Sequence, residues 1–394
     1  MSQQLINRST DLKRLQDEGY DVEVRSGYLL IKNVPYVNFN KEIKLGTLVS
    51  VLTLAGDVTT TPNTHVVFFA GDHPCNKDGS EIVKIKSSSN RQELDRDLVV
   101  NHSFSSKPTS GGYKDYYDKM TTYVAIVSNP AQSIDPTVTA TTFPVIESAE
   151  DESVFNYIDT ASSRAGINVV TRRLELGKIG IVGLGGTGSY VLDLVAKTPV
   201  REIHLFDGDK FSQHNAFRSP GAPSVDELRK KPQKAVFLQE QYSRMRRHIV
   251  AHDCYVDASN VDQLRGMDFV FLCLDSGEAR KLIVEKLEEF GIPFIDVGMG
   301  IYQRDGSLGG ILRITSSTVE QREHLRAKGR IPFSDGDDNN DYSRNIQIAD
   351  LNALNASLAV IKWKKLFRFY LDLENEHHST YTIDGNMLTN EDRP

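Results

Sequence analysis

The stretch Ile181-Val182-Gly183-Leu184-Gly185-Gly186-Thr187-Gly188-Ser189 constrains this chain more than any other. It leaves an apolar run at 178–182 and enters a segment in which Val191, Leu192, Leu194 and Val195 fall at helical spacing. Glycines let the backbone turn sharply from strand to helix and approach a ligand closely. The helix start then offers unpaired N–H groups and the positive end of its dipole to an anion. A glycine loop alone also serves as a packing turn, but the strand-to-helix setting favours nucleotide binding.

Beyond the loop, strand and helix alternate. Strands are expected at 203–206, 249–255, 269–274 and 293–297, and helices at 225–245 and 277–290. This rhythm predicts an α/β domain, a Rossmann-like doubly wound and mainly parallel sheet with helices on both faces. Ile348, Leu351, Leu354, Leu358 and Ile361 step by three and four residues and predict a long amphipathic helix, more apolar than one sheet need cover. The earlier part of the chain has a different rhythm. One helix at 11–18 precedes short β-rich runs at 28–31, 48–54, 65–69 and 123–127, set apart by Gly- and Pro-bearing loops. That pattern predicts a separate, mainly antiparallel, β-rich N-terminal domain.

At 394 residues the chain is long enough for two to three domains. The boundaries read as a β-rich domain over 1–130, a linker rich in Pro, Thr, Ser and acid over 131–154, and the α/β domain over 155–394. A net charge of -7 argues against a general nucleic-acid binder, because phosphate-backbone affinity needs clustered Lys and Arg. The polar start of the chain and the shortness of its apolar runs predict no membrane span. Three scattered cysteines, Cys75, Cys254 and Cys273, give neither a disulfide framework nor a zinc-binding pair, and the expectation is a cytoplasmic protein.

Asp207 follows the next strand, in Leu205-Phe206-Asp207-Gly208-Asp209, where an acid accepts hydrogen bonds from ribose hydroxyls. On this alone a nicotinamide- or flavin-dependent enzyme stays open. Asn215, Arg218, Lys234 and Asp275 weigh against it. Each by itself is an ordinary surface polar group. Together they bring two cations and a carboxylate to the ends of parallel strands, where Arg218 and Lys234 suit a triphosphate and Asp275 a Mg²⁺ ion. Hydride transfer has no need of this set.

The order of these residues resembles the ubiquitin-activating-enzyme family, the ThiF/MoeB-type adenylyltransferases, over about residues 155–385. Four motifs carry the likeness. They are Gly183, Gly185, Gly186 and Gly188 after a strand; Asp207-Gly208-Asp209 running to Asn215-Ala216-Phe217-Arg218; Lys234-Ala235 in the following helix; and Asp275 after a later strand, with Arg280 beyond it. The resemblance implies that Asp207 binds the ribose of ATP, Asn215 and Arg218 the phosphates, and Asp275 a Mg²⁺ ion. Lys234 would stabilise the pentavalent transition state, and Arg164 would reach across a homodimer to the γ-phosphate. It further implies adenylation of the C-terminal carboxylate of a ubiquitin-like or sulfur-carrier protein, in a bacterial-type conjugation pathway with a separate conjugating enzyme as a second partner. The alternatives are sulfur-carrier activation in thiamin or molybdopterin synthesis, and a catalytically inactive nucleotide-binding scaffold.

The chain also departs from that family. The crossover segment 300–347, where many relatives carry a catalytic cysteine, has none. It holds instead a basic block, Arg322, Arg326, Lys328 and Arg330, and an acidic block, Asp335, Asp337, Asp338 and Asp341, which read as a solvated loop. Cys254 and Cys273 sit in apolar strands and read as inert core thiols. Cys75, in a loop two residues after His73, is the remaining candidate for a reactive thiol. The helix-then-meander order and His73-Pro74 resemble a ubiquitin-conjugating enzyme at the level of fold, and the first domain reads as a recognition module.

Overall fold

The structure, a computed structural model, describes residues 2–148, 153–334 and 346–393. The chain divides into two compact units, Met1–Ile146 and Glu147–Pro394. Asp335, Asp337, Asp338 and Asp341 lie outside the described residues. Among those residues no helix is long and apolar enough to cross a membrane.

The first unit opens with helices α1 (Ser2–Arg8) and α2 (Thr10–Asp17). Strands β1 (Asp21–Arg25), β2 (Tyr28–Val37), β3 (Ile43–Val51), β4 (Val66–Ala70), β5 (Lys86–Ser88) and β6 (His102–Ser105) come next. They form an antiparallel sheet in the order β1-β2-β3-β4-β6-β5. Helix α3 (Tyr116–Gln132) packs Tyr116, Met120, Tyr123, Val124 and Val127 into the core with Leu29, Ile31, Leu48, Val67 and Phe69 of the sheet.

The run 123–127, expected as a strand, is therefore helical. Its Tyr, Val and Ile content favours a strand, but the buried residues step by three and four. Asp115 also caps the helix by accepting from the backbone N–H of Asp118 at 2.8 Å. Of the segment read as a linker, residues 149–152 lie outside the described residues. Ala140 is buried, Thr141 pairs with Tyr20, and the Phe143 N–H donates to the Gly19 carbonyl at 2.9 Å, all within the first unit.

The second unit is built on β7 (Lys178–Val182), β8 (Glu202–Phe206), β9 (Ile249–His252), β10 (Phe269–Leu272), β11 (Phe294–Arg304), β12 (Ser307–Ser317), β13 (His378–Thr382) and β14 (Met387–Glu391). The sheet order is β9-β8-β7-β10-β11-β12-β13-β14. Pairs from β9 to β11 are parallel and those from β11 to β14 antiparallel. The chain starts at β7, builds outward to β9, then returns to the other side of β7 at β10. That reversal is the switch point at which doubly wound sheets bind ligands.

Helices α4 (Gly186–Val195), α6 (Lys234–Tyr242) and α8 (Ala349–Leu366) cover one face, around Ile179, Ile181, Ile203, Phe269, Phe271 and Trp363. Helix α7 (Gly277–Phe290) covers the other with Ile283, Val284 and Leu287 against Val270, Leu272 and Phe294. The helix expected over 225–245 is two helices, α5 (Val225–Lys230) and α6. Pro232 cannot continue a helix and pushes the residue before it out of the helical region. Lys231 accordingly ends α5 at φ 46° in the left-handed region.

Two further expectations shift. The buried residues of α8 are Asn352, Asn355, Ala356, Ala359, Val360, Lys362 and Trp363, leaving Leu351, Leu354 and Leu358 half-buried and Ile361 exposed. The basic block of the crossover segment is not a free solvated loop. Arg326 grips Glu288 of α7 with two bonds of 2.9 and 2.6 Å, and Arg330 Nε donates to Asp392 at 2.7 Å.

Lys119 of α3 is fully buried, and its ammonium donates to Ser50 Oγ at 2.8 Å and the Thr64 carbonyl at 2.9 Å. Burial pushes its pKa down from 10.5 to about 8. Between these two values the unfolded chain keeps the proton while the folded chain has released it, so this group adds stability as pH rises through the window. In urea denaturation, wild type should gain on the order of 2 kcal/mol relative to Lys119→Met from about pH 8 to pH 10.5. A difference that stays flat with pH contradicts this account.

Candidate active site

Val182, Phe206 and Leu272 end three neighbouring parallel strands in one register row. Gly183, Asp207 and Cys273 therefore leave the sheet side by side. Gly183 adopts φ +86°, and a Cβ there would stand 2.7 Å from the Cys273 carbonyl oxygen. At Gly188 an added Cβ would lie 1.9 Å from the Gly183 carbonyl, so only glycine lets α4 start this close to the loop. Gly185 occupies the N-cap position of α4, a ten-residue helix, and supplies no side-chain cap. Gln347 Oε1 accepts from the Gly186 N–H at 3.3 Å.

Asp207 is buried and shapes the loop, its Oδ2 accepting from the Leu184 N–H at 2.7 Å and its Oδ1 from the Asp209 N–H at 2.9 Å. Each carboxylate oxygen has a second lone pair, so neither bond closes the group to a ribose hydroxyl. Lys234, the first residue of α6, is buried and its Nζ lies 2.7 Å from Asp209 Oδ2 and 3.5 Å from Asp207 Oδ1. Bonds from Lys234 and Tyr255, with the Arg218 charge adding to them, hold the Asp209 carboxyl below the usual range. Tyr255 is pushed up to about 12, first by its hydrogen bond to Asp209 and then by burial, with the charges of Asp207 and Asp275 adding. Asp207, Asp209, Arg218, Lys234 and Asp275 thus share one electrostatic neighbourhood.

Asn215 is buried, and its Oδ1 caps a short turn by accepting from the Ser212 N–H at 2.8 Å. Its Nδ2 and Arg218 Nε are buried donors without a hydrogen-bond partner among the described residues. A buried donor left unpaired costs free energy, so both fit a site completed by an anionic, acceptor-rich ligand. Asp275 is exposed, in the loop after β10. Arg280 of α7 steadies that loop through its bond to the Leu274 carbonyl, and its Nε lies 2.9 Å from the fully buried Asp296. Arg164 is exposed at the end of a five-residue helix, Thr160–Arg164.

The sequence reading missed two contributors. Asn352 of α8, almost fully buried, accepts from Thr187 Oγ1 at 2.9 Å and donates to the Arg218 carbonyl at 3.4 Å. It ties the glycine loop to the Asn215–Arg218 turn. Tyr255 closes the other side. A polar residue on the inward stripe of an apolar helix is the signal that would have exposed Asn352; Tyr255 leaves no signal beyond its place after a strand.

The sequence model of the ThiF family matches residues 160–372, more than half of the chain. The chain belongs to the ThiF family. A model of a domain of unknown function, DUF6791, matches residues 10–160. No curated protein matches the chain closely enough to count as a relative. Among solved structures, E. coli MccB with MccA-N7isoASN is similar at 18% identity and a TM-score of 0.45, over 60% of this chain and 70% of that one. E. coli MccB with ATP gives 18% and 0.44 over 59% and 69%, and PaaA gives 16% and 0.43 over 57% and 66%. This ThiF-family chain spans about two thirds of the length of those proteins.

ThiF-family membership supports an ATP-dependent adenylating activity, and the cysteines bear on the fate of the acyl-adenylate. Cys75 is buried, its Sγ 3.2 Å from the His73 carbonyl, and burial together with the charges of Glu81 and Asp78 raises its pKa. That is the reverse of activation, so the candidacy of Cys75 as a reactive thiol falls. Burial raises Cys254 and Cys273 as well. With iodoacetamide at pH 7.5 the native protein should label at each cysteine at least tenfold more slowly than the urea-unfolded chain, measured by peptide mass spectrometry. Rapid native labelling of Cys75 would contradict the burial argument.

Proposed function

We propose that this protein activates the C-terminal carboxylate of a ubiquitin-like protein by adenylation with ATP. The observation that carries the reading is the convergence of the glycine loop with Asp207, Arg218, Lys234 and Asp275, beside two buried donors that lack a partner among the described residues. In the reaction a carboxylate oxygen of the carrier attacks the α-phosphorus of ATP. The bond from that phosphorus to the bridging oxygen of the β-phosphate breaks, and pyrophosphate leaves with the electron pair. Charge neutralisation and in-line positioning supply the rate enhancement.

Each residue then has a role. The N–H groups at the start of α4 and the glycine loop cradle phosphate. Asp207 accepts from the ribose, and Asn215 Nδ2 and Arg218 Nε donate to phosphate oxygens. Lys234, held in place by Asp209, meets the charge that builds on the α-phosphate. Asp275 is the residue that would hold Mg²⁺, an ion that would supply positive charge against that of the leaving pyrophosphate.

The half-buried ridge Leu351, Leu354 and Leu358, with exposed Ile361, supports a homodimer in which Arg164 serves the partner's nucleotide. We assign the first unit the role of recognising the carrier protein or a separate conjugating enzyme. The three raised thiols favour direct transfer of the acyl-adenylate to that second enzyme over a stable thioester on this chain. The cytoplasm, where ATP is abundant, suits such a pathway. Activation of a sulfur carrier runs through the same first step and differs in the acceptor.

ATP–pyrophosphate exchange should depend on a ubiquitin-like protein with a free diglycine terminus. Asp275→Ala should abolish it, and Arg218→Ala should lower it on the order of 10²-fold, as loss of a transition-state charge contact does. Wild-type exchange in the Asp275 variant would overturn the assignment.

A further inference from the structure

Tyr255 lies three residues beyond the end of β9, the strand next to the one that delivers Asp207. It is 63% exposed, although the charges of Asp207, Asp209 and Asp275 all act on its hydroxyl. One side of the ring rests on Gly208, where an added Cβ would come within 2.8 Å of the ring carbons. The hydroxyl donates to Asp209 Oδ1, whose other oxygen accepts from Lys234. The loop beneath is fixed, because Asn260 Nδ2 donates to the Tyr255 carbonyl at 2.8 Å, the Asp257 N–H donates to Asn260 Oδ1 at 2.9 Å, and Val256 is buried. The ring is thus held against Gly208 and at its hydroxyl, on a fixed loop, with much of its surface open to solvent.

The order of the strand ends sets a direction. Phosphates belong at the glycine loop after β7, and the ribose at Asp207 after β8. A nucleotide laid along that line carries its base onward to the end of β9, where Tyr255 stands. We propose that Tyr255 is the base-side wall of the nucleotide site, stacking its open ring surface on the nucleobase while Asp209 anchors its hydroxyl. This rests on the proposed ATP site and adds the element that recognises the base. Its pKa of about 12 keeps the phenol protonated, and so donating to Asp209, across the physiological range. Stacking on an aromatic ring uses the π-face every base has, so it strengthens binding without choosing between adenine and guanine.

Calorimetric titration of the full chain tests this with MgATP, MgGTP and magnesium tripolyphosphate, the last having no base. Tyr255→Ala should weaken MgATP and MgGTP at least tenfold, the range of a lost base–aromatic stack. Tripolyphosphate affinity should stay within about twofold, and Tyr255→Phe, which keeps the ring, should hold MgATP within about threefold of wild type. Three results overturn the stacking role: unchanged MgATP affinity in Tyr255→Ala, an equal loss for tripolyphosphate, or a Phe variant as weak as the Ala variant. A wild-type chain that binds neither MgATP nor tripolyphosphate would instead overturn the nucleotide reading on which the stacking role rests. Thermal unfolding of each variant confirms that a folded chain was titrated.

Discussion

The second unit hangs on a backbone contact that a single methyl group would break. Gly188 brings the start of α4 down onto the Gly183 carbonyl, and Gly183 in turn lies against the Cys273 carbonyl at the end of β10. Because β7 and β10 flank the point where the sheet reverses its order, this contact pulls together two loops that lie ninety residues apart in sequence. Helix α4 could not aim its N–H groups at the loop from farther away. Asp207 could not reach the Leu184 N–H without the same turn.

Around that contact the protein spends buried charge. Lys234, itself buried, is flanked by Asp207 and Asp209, and the fully buried Asp296 is shared by Arg280 at 2.9 Å and Arg313 at 2.6 Å. Buried ion pairs add little net stability but lose a great deal when one partner is removed. Their evident effect here is positional. Arg280 links Asp296 to the Leu274 carbonyl and so fixes the loop that carries Asp275. Asp209 holds Lys234 and Tyr255 on its two oxygens. The exposed Asp275 loop and Tyr255 are thereby tied to residues held in ion pairs.

The glycine loop, the Asp207 turn and the parallel alternation were legible because local periodicity and turn chemistry fix them. The errors fall where context overrides local preference. Residues 123–127 carry strand-forming side chains but lie in a helix, because Tyr116, Met120, Tyr123 and Val127 match a helical stripe against the sheet. Helix 225–245 breaks at Pro232, a stop that the residue itself announces. The hairpin of β11 and β12 and the closing pair of β13 and β14 were not read from the sequence. Glycines interrupt the apolar runs of β11 and β12, and β13 and β14 are short and mostly polar, so the alternation of apolar and polar residues is weak. Tyr255 was invisible for another reason: it acts through a contact with Asp209, far away in sequence, and a single sequence does not record such pairs.

A glycine loop followed by an acid accommodates either ATP or a nicotinamide dinucleotide, and the residues at this switch point favour ATP. The thermal midpoint of the full chain, measured with saturating MgATP and separately with NAD⁺ and NADP⁺, separates them, because a ligand that binds only the folded state raises it. MgATP should raise the midpoint by several degrees, the dinucleotides should not, and Arg218→Ala should remove most of the ATP effect. A rise with NAD⁺ or NADP⁺ and none with MgATP would contradict the account.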